Sequence, residues 1–179
     1  MTKKLLSLSA IGKDQTGIVS SISEVLFEMG CNIENSTMTL LSGQFAMILL
    51  IAYPKTADVA KIKSKLKAVF NNLGLHSSVN EIDDNTKNIK TYGDYVISLY
   101  GADKPGIVYN ISKYLSDNKV NITDVQTSVV GAKDKVYIML IEIQLPSGFK
   151  IENLKSAMKD LAAKLMVDIS INQADTSEI

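Results

Sequence analysis

The stretch GKDQTGIV at residues 12–19 organises this chain of 179 residues, because it occurs twice. Moved by 89 positions it lies on GADKPGIV at residues 101–108, where Gly, Asp, Gly, Ile and Val keep their places. The correspondence continues downstream, where Asn32-Ile33 falls on Asn121-Ile122. An internal repeat of this length indicates that one small module is used twice.

Hydrophobic periodicity predicts the same order of elements in each half. Leu6, Leu8 and Ala10 alternate with other residues, as they would in a strand with one apolar face. From Gly17 the spacing becomes helical, and Gly30 ends the helix. The apolar stripe of this helix is Ile18, Ile22, Val25, Leu26 and Met29. Two strands, a second helix and a last strand follow, with Ser42-Gly43 as a tight turn between the two strands.

The order β-α-β-β-α-β in each half predicts an α+β fold of two ferredoxin-like domains. Each domain is expected to be a four-stranded antiparallel sheet with two helices on one face. Residues 81–93 are polar and carry no periodicity, which is typical of a connection between domains. We therefore predict a first domain at 1–84, a linker at 85–92 and a second domain at 93–179.

The third strand of the first half is apolar on both faces, which favours cover on both. Ala46, Ile48 and Leu50 form its second apolar face, whereas the copy carries Glu142 and Gln144. We expect the other half or a second chain to cover this face. The expected assembly is a homo-oligomer.

Composition argues against several classes of function. The formal net charge is zero and all 19 basic residues are lysine, so the planar guanidinium that grips phosphate or guanine is missing. We therefore expect no direct binding of nucleic acid. The N-terminus lacks a signal-peptide pattern, and the longest apolar run, 45–53, is too short for a membrane span, which indicates a cytoplasmic protein. A single cysteine and a single histidine indicate neither a metal nor a cofactor.

The repeated loop leaves a strand and opens a helix, so the first N–H groups of that helix can bind an anion. Gly17 and Gly106 allow close approach of a ligand, and the carboxylates of Asp14 and Asp103 can accept a hydrogen bond from an ammonium group. Together these two groups suit a free amino acid. The alternative is that Asp caps the helix, Gly supplies a positive φ, and nothing binds. The spacing alone does not choose between them.

The order Gly-x-Asp-x-Pro-Gly-Ile-Val, followed by a helix and Asn-Ile within a βαββαβ unit, resembles the ACT domain, a regulatory module that typically senses amino acids. A chain of two such units is similar to the glycine cleavage system transcriptional repressor family. The resemblance implies a regulator without catalysis that acts on a protein partner such as a transcription factor, in glycine or one-carbon metabolism. It also implies a ligand site where this loop of one domain meets the start of strand two of its neighbour. The residues implied are Gly12, Asp14, Gly17, Ile18, Asn32 and Ile33, and Gly101, Asp103, Gly106, Ile107, Asn121 and Ile122.

The two copies differ inside the loop, where Gln15-Thr16 stands opposite Lys104-Pro105. Proline fixes φ and reduces the disorder that a loop loses on binding, so we hypothesise that the Asp103 site is the better formed of the two.

Two other function classes share the βαββαβ plan. An enzyme resembling acylphosphatase would use an arginine at the phosphate, and the chain has none. No Ser-His-Asp or Cys-His set can be assembled around the lone His76. An RNA-binding domain resembling RRM would stack bases on aromatic side chains of the central strands. Phe45 and Tyr137 lie in roughly the right strand, but the first strand offers only Leu6 and Leu8.

Overall fold

A computed structural model of the protein describes residues 4–82, 93–131 and 135–174. These residues form two compact units, one on each side of residues 83–92. The first unit contains β1 (Lys4–Lys13), α1 (Ile18–Glu28), β2 (Asn32–Leu41), β3 (Gln44–Tyr53), α2 (Val59–Asn72) and β4 (His76–Ile82). The second contains β5 (Tyr95–Gly101), α3 (Ile107–Asp117), β6 (Asn121–Val130), β7 (Val136–Gln144), α4 (Ile151–Leu165) and β8 (Val167–Gln173).

Each unit is a four-stranded antiparallel sheet, with strand order β2-β3-β1-β4 in the first and β6-β7-β5-β8 in the second. The predicted α+β fold of two ferredoxin-like domains is confirmed. The predicted linker at 85–92 lies outside the described residues. The polar stretch was predicted to begin at Glu81, but its first two residues, Glu81 and Ile82, belong to β4. The backbone of this edge strand still pairs with β1 there, with Ile82 opposite Leu5.

Alternation along the strands places one face of each sheet under its two helices. In the first unit Leu6, Leu8 and Ala10 are buried there, as their alternation predicts. The helical stripe meets them from α1, with Ile18, Ile22, Val25 and Leu26 buried and Met29 partly buried. Among the described residues of its own unit, no helix lies on the opposite face of each sheet, which is called here the open face.

Backbone conformation at turns and helix ends shows where the two units differ. Ser42 and Gly43 both have positive φ, at 49° and 77°, which confirms the tight turn. After α1 and α2 the chain passes through Gly30 and Gly74 with φ of 65° and 64°. At the corresponding positions after α3 and α4 the second unit has Lys119 and Met166, with φ of 57° and 56°. Side chains with a Cβ rarely adopt this conformation, so the second unit has the more strained helix ends.

Replacing Met166 by glycine is therefore expected to stabilise the second domain. A left-handed residue with a Cβ is unfavourable by about 1–2 kcal/mol, and the greater freedom of glycine in the unfolded chain offsets about half of that. Met166 is 72% exposed, so little packing is lost. We expect a gain of about 0.5–1 kcal/mol in denaturant unfolding, and a loss of similar size for the matched Gly74→Met. A second domain destabilised by Met166→Gly would contradict this account of the strain.

Candidate functional site

The two repeated loops have nearly the same backbone conformation. Gly17 and Gly106 stand directly before α1 and α3 with φ of 98° and 95° and ψ of −6° in both. A Cβ built on Gly17 would meet nothing nearer than Ser20 Oγ at 4.0 Å, and one on Gly106 would meet Asn110 Nδ2 at 3.4 Å. Glycine is therefore favoured at both positions by the left-handed backbone, and the space above Gly17 is open to solvent or a ligand.

The first backbone N–H groups of α1 and α3 have no acceptor within their own helices. The carbonyl oxygen of Gly17 accepts the first helical hydrogen bond, from the backbone N of Ser21 at 3.0 Å, and that of Gly106 accepts from Asn110 at 2.9 Å. The N–H groups between these positions precede the helical ladder. Within the described ranges, no side chain caps either helix. Gly17 and Gly106 occupy the N-cap positions and the aspartates lie three residues earlier, so of the alternative interpretation the positive φ of glycine is confirmed and the aspartate cap is not found. Binding of a ligand stays a prediction.

Hydrogen bonds fix the first loop to the body of its domain. The backbone N of Asp14 donates to the carbonyl oxygen of Gly43 at 3.0 Å, while the Asp14 side chain is exposed. Gln15 Nε2 donates to the carbonyl oxygen of Leu73, at the end of α2, at 2.6 Å. Gln15, which is replaced by Lys104 in the second loop, therefore attaches the first loop to the C-terminal end of α2.

Gly12 and Gly101, predicted as ligand-binding residues, have a packing role in this structure. A Cβ on Gly12 would lie 2.6 Å from Leu75 Cδ2, and one on Gly101 would lie 2.6 Å from Val167 Cγ1. Leu75 and Val167 are buried at or beside the first residue of the neighbouring strand. The requirement for glycine is stricter at Gly101, where Val167 Cβ and Cα would lie at 3.0 and 3.2 Å, than at Gly12, where the nearest atom is the end of a flexible side chain.

The start of strand two lies far from the loop of its own domain. Asn32 pairs with Ala52, and Ala52 pairs with Leu5 at the beginning of β1. Gly12 is seven residues further along β1, which is about 23 Å at the usual rise of a strand. A free amino acid cannot contact both ends of one sheet. Four predicted residues therefore lie far from the loop of their own domain: Asn32, Ile33, Asn121 and Ile122.

A tyrosine hydroxyl lies near the second loop. Tyr137 is buried beside Gly101 in the sheet, where the first domain has Phe45 beside Gly12. Burial raises the pKa of Tyr137 above its usual value, the negative charge of Asp103 raises it further, and a hydrogen bond with Thr127 opposes them. The carboxylate of Asp103 therefore lies close enough to repel a phenolate at Tyr137.

This proximity predicts that Asp103→Asn lowers the pKa of Tyr137 towards its usual value, because the repelling charge is removed. Tyr137→Phe identifies the signal of this residue in an alkaline titration followed by NMR of the tyrosine rings. Asp14→Asn is the matched control. It removes the same charge from the first loop, where the aromatic side chain at the corresponding position, Phe45, has no hydroxyl to titrate, so the pKa of Tyr137 should not change. The raised pKa in the folded state also means that stability is lost as the pH rises above about 10. An unchanged pKa in Asp103→Asn would show that the carboxylate points away.

One further polar group was not predicted from the sequence. The β6 ladder shifts register between Ile122 and Asp124, and the hydroxyl of Thr123 in this bulge is buried without a hydrogen-bond partner among the described residues. The first domain has Glu34 at the corresponding position, so comparison of the two repeats does not predict a hydroxyl group here. The difference between Tyr137 and Phe45, in contrast, was visible in the sequence.

In the described ranges, no group of three or more His, Cys, Asp or Glu side chains is placed to hold a metal ion. No described helix combines the length and the apolar character needed to cross a membrane.

Comparison with known proteins supports the resemblance found in the loops. The sequence pattern of the ACT domain matches residues 4–80 and again 94–172. The glycine cleavage system transcriptional repressor of Escherichia coli (strain K12) is 24% identical over 176 residues, which cover 97% of this chain and 92% of that protein. A UPF0237 protein of Methanocaldococcus jannaschii is 38% identical over 77 residues, covering 42% of this chain and 86% of that protein.

The fold is also found in a crystal structure of an unknown protein from Galdieria sulphuraria. That structure has a TM-score of 0.82 at 24% identity and covers 97% of this chain and 99% of the other. ACT domains and the homologous regulator support a ligand-sensing regulatory role at a general level. With two separate matches that together span most of its length, this chain belongs to the ACT domain family and is a tandem ACT-domain protein.

Proposed function

We propose that this protein is a regulator without catalysis of its own, and that it binds a free amino acid at the loops before α1 and α3. The observation that carries the proposal is the pair of uncapped helix N-termini, each preceded by a left-handed glycine and an exposed aspartate. This arrangement occurs twice with nearly the same backbone angles. Glycine at the N-cap brings no side-chain acceptor to the first backbone N–H groups of the helix, so these groups remain available to a ligand.

The proposed chemistry assigns one end of the amino acid to each part of the loop. The ligand carboxylate accepts hydrogen bonds from the first backbone N–H groups of the helix, at Ile18 or Ile107, where the helix dipole is positive. The ammonium group donates to the carboxylate of Asp14 or Asp103, which is exposed in both loops. Both contacts are charge-assisted hydrogen bonds, which are stronger than neutral ones.

We further propose that the bound amino acid changes the affinity of the protein for a partner protein. The Escherichia coli relative is a transcriptional repressor, and this supports a transcription factor as the partner, with control of glycine or one-carbon metabolism as the outcome. The effect of the ligand on the partner and of the partner on the ligand must then be equal in free energy.

The experiment that tests ligand binding is a thermal-shift screen of the 20 common amino acids, followed by calorimetry on those that raise the melting temperature. A ligand present at about 100 times its Kd stabilises the folded protein by roughly 2.7 kcal/mol, which is readily detected. A screen at millimolar concentrations in which no amino acid shifts the melting temperature would contradict the proposal.

If regulation passes through a partner, the purified protein is expected not to bind DNA. Affinity for DNA rests on clusters of lysine and arginine that neutralise phosphates, and this chain has no arginine and a net charge of zero. On the lysine-rich helix α2, Lys63 and Lys65 form ion pairs with Glu81 and Glu28. A titration with promoter DNA at about 150 mM salt checks this expectation. A specific, salt-dependent complex formed without any added protein would refute it.

A further inference from the structure

On the helix side of each sheet, opposite the open face, the edge strand carries exposed side chains. In the first sheet Met38 and Leu40 of β2 stand opposite Met47 and Phe45, which are buried under the helices. Residues directly opposite one another in an antiparallel pair point to the same face. Met38 and Leu40 therefore lie on the helix side, yet 48% and 60% of their surfaces are exposed. We call these two positions the ledge of the first sheet.

The ledge lies at the same end of the domain as the repeated loop. β1 and β2 run in the same direction, because both pair antiparallel with β3 between them. Their C-terminal ends are level, since Gly12 and Leu40 both pair with Phe45. The backbone hydrogen bond from Asp14 to Gly43 also fixes the loop after β1 to the turn after β2. A molecule bound at the loop therefore has the ledge as its neighbour.

The second domain has the same ledge with different chemistry. Its ledge consists of Thr127 and Val129, both exposed. Thr127 stands where the first sheet has Met38, and Tyr137 stands where it has Phe45. A side-chain hydrogen bond joins Tyr137 to Thr127. The second domain therefore has two hydroxyl groups where the first has two apolar side chains.

The hydroxyl of Tyr137 lies near the proposed position of the ligand. Burial raises the pKa of Tyr137, and the nearby carboxylate of Asp103 raises it further. The hydroxyl is therefore protonated at neutral pH and can donate a hydrogen bond. The ammonium group and the side chain of an amino acid are attached to the same carbon atom. An amino acid bound through Asp103 thus brings its side chain close to Tyr137.

Building on the proposed amino-acid site, we propose that the two loops select different side chains. The loop before α3 prefers an amino acid with a hydroxyl group in its side chain, and the loop before α1 prefers an apolar one. At the second loop Tyr137 donates to the ligand hydroxyl, which can itself donate to Thr127. At the first loop Phe45 and Met38 offer no hydrogen bond, so a ligand hydroxyl loses its bonds with water without replacement.

Pairs of amino acids that differ by a hydroxyl in place of a methyl group test this selectivity. L-Threonine is compared with L-valine, and L-serine with L-2-aminobutyrate, by calorimetry on the full chain. Asp14→Asn weakens the first loop so that the second can be measured, and Asp103→Asn does the reverse. In Asp14→Asn the hydroxyl member of each pair is expected to bind about tenfold more tightly, the usual contribution of one hydrogen bond. In Asp103→Asn the apolar member should bind more tightly.

Removal of the Tyr137 hydroxyl identifies the group responsible for the preference. Tyr137→Phe, made in the Asp14→Asn background, copies the first domain and is expected to abolish the preference for the hydroxyl member. Thr127→Met at the exposed ledge is a second variant with the same expected direction, in case Tyr137→Phe fails to fold. Tyr95→Phe is the matched control. It also removes a tyrosine hydroxyl, but from the other end of β5, six residues or about 20 Å from Gly101.

The reciprocal exchange is Phe45→Tyr with Met38→Thr in the Asp103→Asn background, and it should give the first loop a preference for the hydroxyl member. Four results would overturn the inference and leave the proposed function standing. These are equal binding of both members at both loops, an unchanged preference in folded Tyr137→Phe or Thr127→Met, an equal change in Tyr95→Phe, and binding of glycine alone. Absence of binding by any amino acid at millimolar concentrations would overturn both the inference and the proposed function.

Discussion

Replacing Gly101 with alanine is expected to lower the free energy of unfolding of the second domain by about 1–3 kcal/mol, the usual effect of an extra methyl group in a packed core. The added Cβ would lie 2.6 Å from Val167 Cγ1 and 3.0 Å from Val167 Cβ, and Val167 is buried. Gly12→Ala is expected to have a smaller effect in the first domain, because the nearest atom there, Leu75 Cδ2 at 2.6 Å, is the end of a flexible side chain that can move. Strands must then separate or side chains must leave their preferred rotamers.

A double-mutant cycle with Val167→Ala shows whether this clash is the cause. Each single variant is expected to be destabilised, and the double variant should lose less than the sum, because removing the Val167 methyl groups relieves the contact. Denaturant unfolding followed by domain-resolved hydrogen exchange measures both effects. The folded fraction of Gly101→Ala should bind ligand as the unmodified protein does. A stable Gly101→Ala protein with lost ligand affinity would return Gly101 to the ligand site.

Much of the fold could be predicted because hydrophobic periodicity reports directly on burial. The alternation of Leu6 and Leu8 and the helical spacing of Ile18 and Ile22 are local patterns. The type of each element can therefore be predicted from its own segment alone. The repeat then supplied two such domains. Glycine at 17 and 106 likewise pointed to a left-handed backbone through a local requirement, and the structure has that backbone.

The site was harder to predict because its geometry depends on pairing between distant residues. Gly12 and Gly17 look equivalent in the sequence, yet the Cβ direction at Gly12 meets Leu75 and that at Gly17 meets open space. The distance from the loop to Asn32 follows from strand register, which the sequence gives only once the sheet order is known. The repulsion between Asp103 and Tyr137 joins residues that are far apart along the chain.

Asp103→Asn is expected to weaken binding of the amino acid at the second loop by roughly 10- to 100-fold, since a hydrogen bond to a charged group is worth about 1.5–3 kcal/mol. Asparagine keeps the shape of the side chain, so the loop should stay folded. Asp14→Asn removes the corresponding charge from the first loop. Asp160→Asn, on the exposed side of α4, is the control for a general loss of negative charge.

The two loops are expected to differ, with the larger loss of affinity in Asp103→Asn. Pro105 restricts the free second loop whether or not ligand is present, so less disorder is lost on binding. The hydrogen bond from Gln15 to Leu73 restricts the first loop as well and so reduces this difference. It contributes little, because it is exposed and competes with water. Calorimetry on the two variants separates the loops, and Pro105→Thr, which copies the first loop, should reduce the difference. Equal losses in Asp14→Asn and Asp103→Asn would show that Pro105 has no role, and no loss in either would remove both aspartates from the ligand site.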